Sequence, residues 1–473
     1  MNLFAFGSNG SGQLGLGHKE DVSTPTQCLF TPSSTASAAS ALENQEQGSV
    51  SQVADKIVQI VAGGNHTLLL TRQGHVYAAG YNSDGRCGPV KQIIPLDESF
   101  KLNSDKDRTE KEEKNNDLRF QRVILTDPTT GYTVDTFTSV SATWEASILV
   151  ASVPPTRANY TDDHGDCTVY EDKVFVQGSA LKGELGLGNH PLAHGTAVPP
   201  CTSIPDFPPI GTTILALASG MGHSVAILSN GDVYGWGGSR KGQLGEALKR
   251  EKIVWSPEQV SGIPFAATGA ICGREFTVVV GNREQGEFLV LGDEGNRWGV
   301  LDVRDSEALR LRIRGKEGVG ASVDNSAPAS TKQSGAAMWG FEEIGASWHG
   351  IYVHLSTPVE CGSSPAAATT DAAASQNSLF AWGRNDRGQL PPSDLPPLAR
   401  LAVGSEHVVA LLRDGSVAAF GWGEHGNCGP DTDPHGNVAG MYKVLSLPDA
   451  VYAAGRRVIG VGAGCATSWV IVD

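Results

Sequence analysis

The chain has 473 residues, of which 40% are hydrophobic and 18% are charged, so it can bury a large core. Its 36 Lys and Arg residues against 51 Asp and Glu residues give a formal net charge of −15, which opposes general binding to nucleic-acid phosphates. The 58 glycines and only 4 methionines indicate many tight turns and few long helices, which favours an all-β fold.

The cysteines and the hydropathy pattern bear on the compartment. The eight cysteines are scattered without a CxxC pair, which argues against a zinc or redox motif and fits a reducing environment. No basic leader with an apolar run stands at the N-terminus, and no stretch approaches the roughly 18 apolar residues of a membrane span. We therefore expect a soluble cytoplasmic protein with no membrane partner, no direct nucleic-acid partner and no cofactor, and the nucleus stays open as a second compartment.

One sequence unit recurs along the chain. Its clearest copies span residues 57–88, 214–245 and 398–429. Four weaker copies share the same alternation of apolar and polar residues and centre on Ala142, Cys272, Ala346 and Gly462. Each copy turns at a short polar link such as Asn-Gly or Asp-Gly and resumes as a strand, which is typical of a small antiparallel sheet. Seven such sheets cover each other's faces when they stand radially around an axis, so the sequence predicts a seven-bladed β-propeller.

The two ends of the chain carry complementary halves of one unit. Residues 2–17 match only the second half and residues 457–473 only the first, so we predict that the N- and C-terminal strands pair and close the ring. Residues 1–473 then form a single propeller domain. Low-complexity or mixed-charge composition predicts flexible insertions at residues 31–52, 97–118, 302–336 and 361–378. For 302–336 the composition favours a solvated loop over a short amphipathic helix.

A recurring histidine suggests a shared structural role. Alignment of the copies places these residues at one repeat position: His66, Glu145, His223, Phe276, His349, His407 and Ala466. Because Phe276 and Ala466 occupy it in two copies, we do not expect a complete ring of imidazoles at the axis. A histidine at such a position is expected to bond backbone groups of neighbouring strands.

Catalytic motifs are missing from the sequence. Residues 10–15 match GxGxxG after a strand, but no helix pattern follows, so they fit a repeat turn better than a dinucleotide site. No P-loop, HExxH or GxSxG motif occurs. We therefore expect that the protein is not an enzyme, with no catalytic and no metal-binding residues.

The turn at residues 421–430 combines an aromatic ring, a carboxylate, an imidazole and a thiol. His425 and Cys428 are too few ligands for zinc, so a recognition loop and a purely structural turn remain the alternatives. Indoles beside blade turns can anchor a partner. The predicted partner-binding residues are Trp422, Glu424, His425, Asn427, Cys428, Glu406, Trp348 and Trp144. The acidic total favours a partner that carries a basic patch.

These units resemble the repeats of the regulator of chromosome condensation family, whose members are seven-bladed propellers, over nearly all of the chain outside the insertions. Residues 5–18, 404–407, 421–430 and 464–471 are similar to one fungal member in particular. That resemblance implies a partner, the small CSL-type zinc- or iron-binding protein of diphthamide synthesis. It also implies that the heterodimer supports that pathway and Elongator-dependent modification of the wobble uridine of tRNA.

The founding type of the family implies an alternative function, guanine-nucleotide exchange on a small nuclear GTPase with docking on chromatin. The acidic total and the absence of a basic tail before Asn2 argue against chromatin docking.

Overall fold

Apolar and polar residues alternate between glycine-containing turns, and the chain accordingly folds into short strands. The structure is a computed structural model. It describes residues 2–31, 56–89, 118–127, 131–154, 170–179, 181–189, 198–199, 201–293, 295–306, 309, 341–355, 379–452 and 455–473.

The first fourteen strands in chain order are β1 (Asn2–Gly7), β2 (Val22–Gln27), β3 (Ile57–Ala62), β4 (His66–Thr71), β5 (Val76–Gly80), β6 (Gln121–Arg122), β7 (Leu125–Thr126), β8 (Thr133–Val134), β9 (Ser139–Ala142), β10 (Ala146–Val153), β11 (Glu171–Gly178), β12 (Ile214–Ser219), β13 (His223–Leu228) and β14 (Val233–Gly238). They are followed by β15 (Ile253–Gln259), β16 (Gly269–Cys272), β17 (Phe276–Val280), β18 (Phe288–Gly292), β19 (Phe341–Ser347), β20 (Gly350–Leu355), β21 (Leu379–Gly383), β22 (Leu398–Val403), β23 (His407–Leu412), β24 (Val417–Trp422), β25 (Asn437–Val444), β26 (Val458–Ala463) and β27 (Thr467–Val472). The described helical segments are 3₁₀ helices at Lys249–Glu251 and Val300–Asp305 and a short α-helix at Asp449–Tyr452.

Seven antiparallel sheets form the blades. In ring order they are blade 1 (β3 to β6), blade 2 (β9 to β11), blade 3 (β12 to β15), blade 4 (β16 to β18), blade 5 (β19 to β21), blade 6 (β22 to β25) and blade 7 (β26, β27, β1 and β2). A two-stranded ribbon of β7 and β8 lies between blades 1 and 2 in the chain. The predicted seven-bladed all-β propeller is confirmed.

Blade 7 is built from both ends of the sequence. Strand β1 pairs with β27 in unbroken antiparallel register, from Asn2 opposite Val472 to Gly7 opposite Thr467. The predicted closure by N- and C-terminal strands is therefore confirmed. The outer strand of this blade, Val22–Gln27, lies beyond the 2–17 segment assigned from the sequence, because the chain passes through a loop before it returns to β1.

The core lies between the blades. The second strands of blades 1, 3, 5, 6 and 7 are buried at every position. Between blades 7 and 1, for example, Leu3 and Trp469 pack with Leu69 and Phe120. Each sheet thus buries both faces against its neighbours, as expected for a closed ring.

Most of the predicted insertions lie outside the described residues, namely 32–52, 97–117, 307–308, 310–336 and 361–378. The start of the 302–336 segment differs from its predicted loop. Residues Val300–Asp305 form a 3₁₀ helix, and Val300, Val303 and Leu309 are buried in the core shared by blades 4 and 5. The prediction was wrong for Val303 and Leu309, because their apolar side chains lie in the core between two blades.

Candidate partner-binding face

A glycine with positive φ lies at the last or the next-to-last residue of the third strand of every blade. These residues are Gly7, Gly80, Gly178, Gly237, Gly292, Gly383 and Gly421, with φ between 91° and 130°. A Cβ on Gly421 would lie 2.7 Å from the carbonyl oxygen of Glu406, so the approach of the two backbones requires glycine. The next residue, Trp422, then donates a backbone hydrogen bond to the Glu406 carbonyl at 2.9 Å.

The same bond recurs in all seven blades, for example from Arg384 to the His349 carbonyl at 2.9 Å. Each one fastens the loop after a third strand to the turn between the first and second strands. These seven loops and seven turns form one face of the ring, which we name the loop face.

The hairpin registers correct the alignment of the repeats. The residues opposite these glycines are His66, Ala146, His223, Phe276, Gly350, His407 and Thr467. The sequence alignment therefore placed Glu145, His349 and Ala466 one residue too early. Side-chain similarity could not set the register where alanine, glycine or threonine replaces the marker residue. His349 consequently belongs to a turn on the loop face.

The three histidines at the true repeat position bridge neighbouring blades. Their Nε2 atoms contact hydroxyl oxygens of the following blade: His66 to Ser147 at 2.9 Å, His223 to Thr277 at 3.0 Å and His407 to Ser468 at 2.8 Å. Burial lowers the pKa of His66 to about 3 and the pKa values of His223 and His407 to about 4. The histidines thus have the predicted structural role, but their Nε2 atoms contact side-chain hydroxyl groups and not the backbone groups that were predicted.

The structure brings all eight sequence-predicted site residues to the loop face. Trp144, Trp348 and Glu406 lie in turns between first and second strands, and the other five lie at or after the end of β24. Their separation along the chain hides this proximity, which arises because every third strand ends beside the turn of its own blade.

Three of these eight residues do not offer a contact surface. Asn427 and Cys428 have no exposed area, and Glu406 is only 4% exposed. The Asn427 side-chain amide donates to the Trp422 carbonyl at 2.7 Å, and Cys428 lies in the core of blades 6 and 7, where burial raises the pKa of its thiol. Direct partner contact was therefore wrongly predicted for them, because this part of the loop folds inward to shape its own turn.

Trp144 and Trp348 meet across the ring. Their ring centroids are 5.8 Å apart, although the residues belong to blades 2 and 5. Both lie at the mouth of a central channel of about 410 Å³ that the first strands of all seven blades line. Both indoles are partly exposed, so they present apolar area at the centre of the loop face.

Trp298 extends this aromatic surface towards the rim. Its ring lies 6.1 Å from the His349 imidazole, and the guanidinium groups of Arg297 and Arg384 lie over it at 4.8 and 4.9 Å. None of Trp298, Arg297 and Arg384 was predicted from the sequence. The available signal was the segment 296–299, in which Arg and Trp replace the usual residues of a repeat turn.

The buried Glu406 carboxylate positions Arg384. Arg384 Nη1 donates to Glu406 Oε1 at 2.9 Å, and Gln389 Nε2 donates to Glu406 Oε2 at 2.7 Å. His349 Nδ1 lies 3.4 Å from Glu406 Oε1. Burial alone would raise the pKa of Glu406, but the nearby His349 imidazole, the hydrogen bond from Gln389 and the Arg384 charge hold it below its ordinary value.

Trp422 carries the surface on to blade 7. The Arg387 guanidinium lies 5.1 Å from its ring centroid, the His425 ring packs edge-on at 5.4 Å, and its indole Nε1 donates to Glu424 at 3.1 Å. His425 Nδ1 in turn lies 2.8 Å from Asp21 Oδ2 of blade 7.

We name the resulting surface the tryptophan–arginine band. It comprises Trp144, Trp348, Trp298, Trp422, Arg274, Arg297, Arg384 and Arg387. Tryptophan and arginine are the side chains most enriched among residues that dominate binding energy at protein interfaces. Within the described ranges no group of three His, Cys, Asp or Glu side chains could hold a metal ion. No helix in the described part of the chain has the length and apolar character needed to cross a membrane.

Comparison with known proteins agrees with this architecture. Two family models described as regulator of chromosome condensation (RCC1) repeat match residues 57–86 and 214–243 and residues 2–70 and 230–280. The chain is thus a seven-bladed β-propeller that carries RCC1 repeats.

Similar proteins extend over the full chain. An RCC1 repeat-containing protein of Schizosaccharomyces pombe is 26% identical over 100% of this chain and 99% of its own length. The secretion-regulating guanine nucleotide exchange factor of Mus musculus is 24% identical over 98% and 82%. Among solved structures, Prp20p of Saccharomyces cerevisiae has a TM-score of 0.57 at 16% identity over 99% and 90%, and human WBSCR16 has 0.57 at 15% over 99% and 98%. At these identities the solved structures support the fold alone.

Proposed function

We propose that the protein is a non-catalytic binding scaffold of the cytoplasm, and that its loop face holds a small CSL-type zinc- or iron-binding protein in a heterodimer. The observation that carries this proposal is the tryptophan–arginine band, which gathers interface-type side chains on one face of the ring. In this proposal the heterodimer supports diphthamide synthesis and Elongator-dependent modification of the tRNA wobble uridine, and the scaffold contacts Elongator only indirectly.

The position of four sequence segments supports this choice of partner. Residues 5–18, 404–407, 421–430 and 464–471 resemble the fungal α-tubulin suppressor, also described as a killer-toxin-insensitivity protein, to which that partner is attributed. All four segments contribute turns or loops to the loop face of the adjacent blades 6 and 7. Segments that are far apart in the sequence thus gather at one end of the band, as expected if they share a binding role.

Guanine-nucleotide exchange on a small GTPase is the second candidate. The observation in its favour is the full-length similarity to the mouse secretion-regulating guanine nucleotide exchange factor. A propeller hosts unrelated functions, so this similarity at 24% identity does not decide between the two candidates.

Calorimetric titration of the purified CSL-type protein into this chain tests the first candidate. We expect a 1:1 complex that is weakened about tenfold or more by Trp422→Ala and measurably by Glu424→Ala and His425→Ala. Met441→Ala is the matched control because Met441 is 49% exposed on the outer strand of the same blade. Its affinity should equal that of the unmodified chain.

Two results would contradict the proposal. Unchanged affinity in Glu424→Ala and His425→Ala would remove the loop of blade 6 from the site. Capture of a small GTPase from the native host, with accelerated nucleotide release and no CSL-type protein, would favour the exchange factor.

A further inference from the structure

Five arginines on the loop face lie over aromatic rings. The distances from guanidinium carbon to ring centroid are 4.8 Å for Arg86 over Tyr81, 4.9 Å for Arg384 and 4.8 Å for Arg297 over Trp298, 5.1 Å for Arg387 over Trp422 and 5.7 Å for Arg274 over Trp348. Stacking engages the flat face of a guanidinium and leaves the N–H donors in its plane available.

Two of these arginines donate hydrogen bonds to carboxylates. Arg384 donates to both oxygens of Asp386, at 2.6 and 2.8 Å, and also to Glu406 at 2.9 Å. Arg86 donates to both oxygens of Asp84, at 2.9 Å from Nε to Oδ1 and 2.5 Å from Nη2 to Oδ2. In this chain, therefore, a stacked arginine is oriented so that it donates hydrogen bonds to a carboxylate in the plane of its guanidinium group.

The other three stacked arginines have no such partner. In the part of the chain that the structure describes, no carboxylate oxygen lies within 4.0 Å of a side-chain nitrogen of Arg274, Arg297 or Arg387. Arg274 and Arg297 are exposed and Arg387 is partly exposed. Three oriented cations thus stand along the tryptophan–arginine band without an ion pair among the described residues, although the charge of Arg387 acts on the nearby Asp386.

Several carboxylates beside the band already have hydrogen-bond partners of their own. Asp386 and Glu406 are occupied by Arg384, and Glu424 accepts a hydrogen bond from the Trp422 indole. Asp293 Oδ2 is a buried atom, whereas Glu145 is exposed and Glu275 is partly exposed, next to Trp144 and Arg274 in the sequence. The three arginines without an ion pair thus belong to a chain whose net charge is −15.

We propose that Arg274, Arg297 and Arg387 bind carboxylates of the protein held by the loop face, so that the contact surface of this partner is acidic. The inference rests on the proposed function only in that a protein binds this face. It reverses the expectation, drawn from the total charge, of a partner with a basic patch, because charges at contact distance outweigh a distributed field that salt screens within about 10 Å.

The first experiment titrates the CSL-type protein into the triple variant Arg274→Ala, Arg297→Ala, Arg387→Ala. The control variant Arg283→Ala, Arg400→Ala, Arg457→Ala removes the same number of charges from the opposite end of the blades, where these residues adjoin the far ends of the strands. We expect a loss of affinity of at least about 100-fold in the first variant and less than about threefold in the control. Arg387→Lys keeps the positive charge but not the stacked, forked guanidinium group. It should therefore lower the affinity about half as much as Arg387→Ala does.

A second experiment does not need that partner. Fluorescence anisotropy measures the binding of labelled hexaglutamate and hexalysine peptides to the unmodified chain and both triple variants. Hexaglutamate should bind the unmodified chain and the control variant and should lose about tenfold in affinity for the loop-face variant.

The outcomes separate the two proposals. If the CSL-type protein binds and the loop-face arginine variant retains full affinity, the acidic-partner inference fails and the proposed function stands. If that protein does not bind at all, the proposed function fails, and the peptides decide the inference. A hexalysine peptide that binds through the loop face while hexaglutamate does not would overturn it.

Discussion

The indole of Trp144 lies 5.8 Å from the indole of Trp348, and this contact joins blades 2 and 5 directly across the ring. Neighbouring blades touch along their whole faces, whereas blades three positions apart meet only near the axis. The two turns that carry these rings are also linked to the next blades through the backbone. The Trp144 backbone N–H donates to the Met221 carbonyl at 3.0 Å, and the Trp348 backbone N–H donates to the Ser405 carbonyl at 2.9 Å.

This aromatic contact should be measurable as an energetic coupling. In a double-mutant cycle on urea unfolding, Trp144→Ala and Trp348→Ala are expected to couple by about 0.5–1.5 kcal/mol, the range for aromatic pairs. Trp144→Ala combined with Met441→Ala provides a cycle between distant residues and should be additive. Strict additivity in the first cycle would mean that the two rings do not interact.

Stability should depend on pH through the buried histidines. The pKa values of His66, His223 and His407 lie at about 3 to 4 in the folded state, below the ordinary value of about 6.5. The unfolded chain therefore takes up more protons between these values, so stability is full above pH 6.5 and falls as the pH falls towards 4. From pH 7 to pH 5 the loss should be about 2 kcal/mol for each histidine.

The slope of this pH dependence identifies its source. His407→Asn should remove about 2 kcal/mol of the loss between pH 7 and pH 5, as measured by the urea midpoint, and Met441→Ala, at an exposed position, should leave the loss unchanged. Carboxylates whose pKa is lowered in the fold, such as Glu406, also make the protein less stable on acidification. Their effect sets in at lower pH, around and below their ordinary pKa of about 4. Glu184 and Asp293, whose pKa values burial raises, act in the opposite direction.

The glycine at the last or the next-to-last residue of each third strand should tolerate no side chain. Gly421→Ala places a Cβ 2.7 Å from the Glu406 carbonyl at a φ of 106°, so we expect a loss of roughly 2–4 kcal/mol in the free energy of unfolding. Gly10→Ala is the control, because nothing lies within 4 Å of its added Cβ, and it should change stability by less than about 0.5 kcal/mol. Similar midpoints for the two variants would contradict the close approach.

Removal of one strand of the closing blade should affect the whole ring. Deletion of residues 2–7 removes β1 and leaves the outer edge of β27 without its partner, so we expect loss of the cooperative thermal transition and association through the free edge. Asp473→Ala removes the exposed ion pair with Arg457, at 3.1 Å, and the hydrogen bond from the Arg457 backbone N–H, at 2.7 Å, and should cost about 1 kcal/mol. A truncated chain that melts like the intact one would show that the ring does not depend on this pairing.

The fold was predictable because its signals are local and repeated. Alternation within strands, Asn-Gly and Asp-Gly turns and the half-units at residues 2–17 and 457–473 each lie within a few residues of the sequence. The alignment of the repeat copies was less accurate where their sequences diverge. His349 was misplaced by one residue because Gly350, opposite Gly383, carries no side chain that marks the strand.

The candidate site was predictable only in part, for a different reason. Trp422 and His425 stand together in one turn of the sequence, so their proximity is local. The neighbours of Trp298, by contrast, come from blade 5, and only the closed ring brings Arg384 and His349 to it. Burial within the turn was not predictable from its sequence either, since the Cys428 side chain faces the core and the His425 side chain faces the surface.

Because β1 pairs with β27, the closing blade can form only after nearly the whole chain has been synthesised. About 460 residues separate Gly7 from Thr467, its partner in the closing blade, so at 5–20 residues per second the ribosome needs tens of seconds between them. Until β27 has been made, the first strand has an open edge and the growing set of blades cannot close. The nascent chain therefore exposes unpaired strand edges until its last residues have been synthesised.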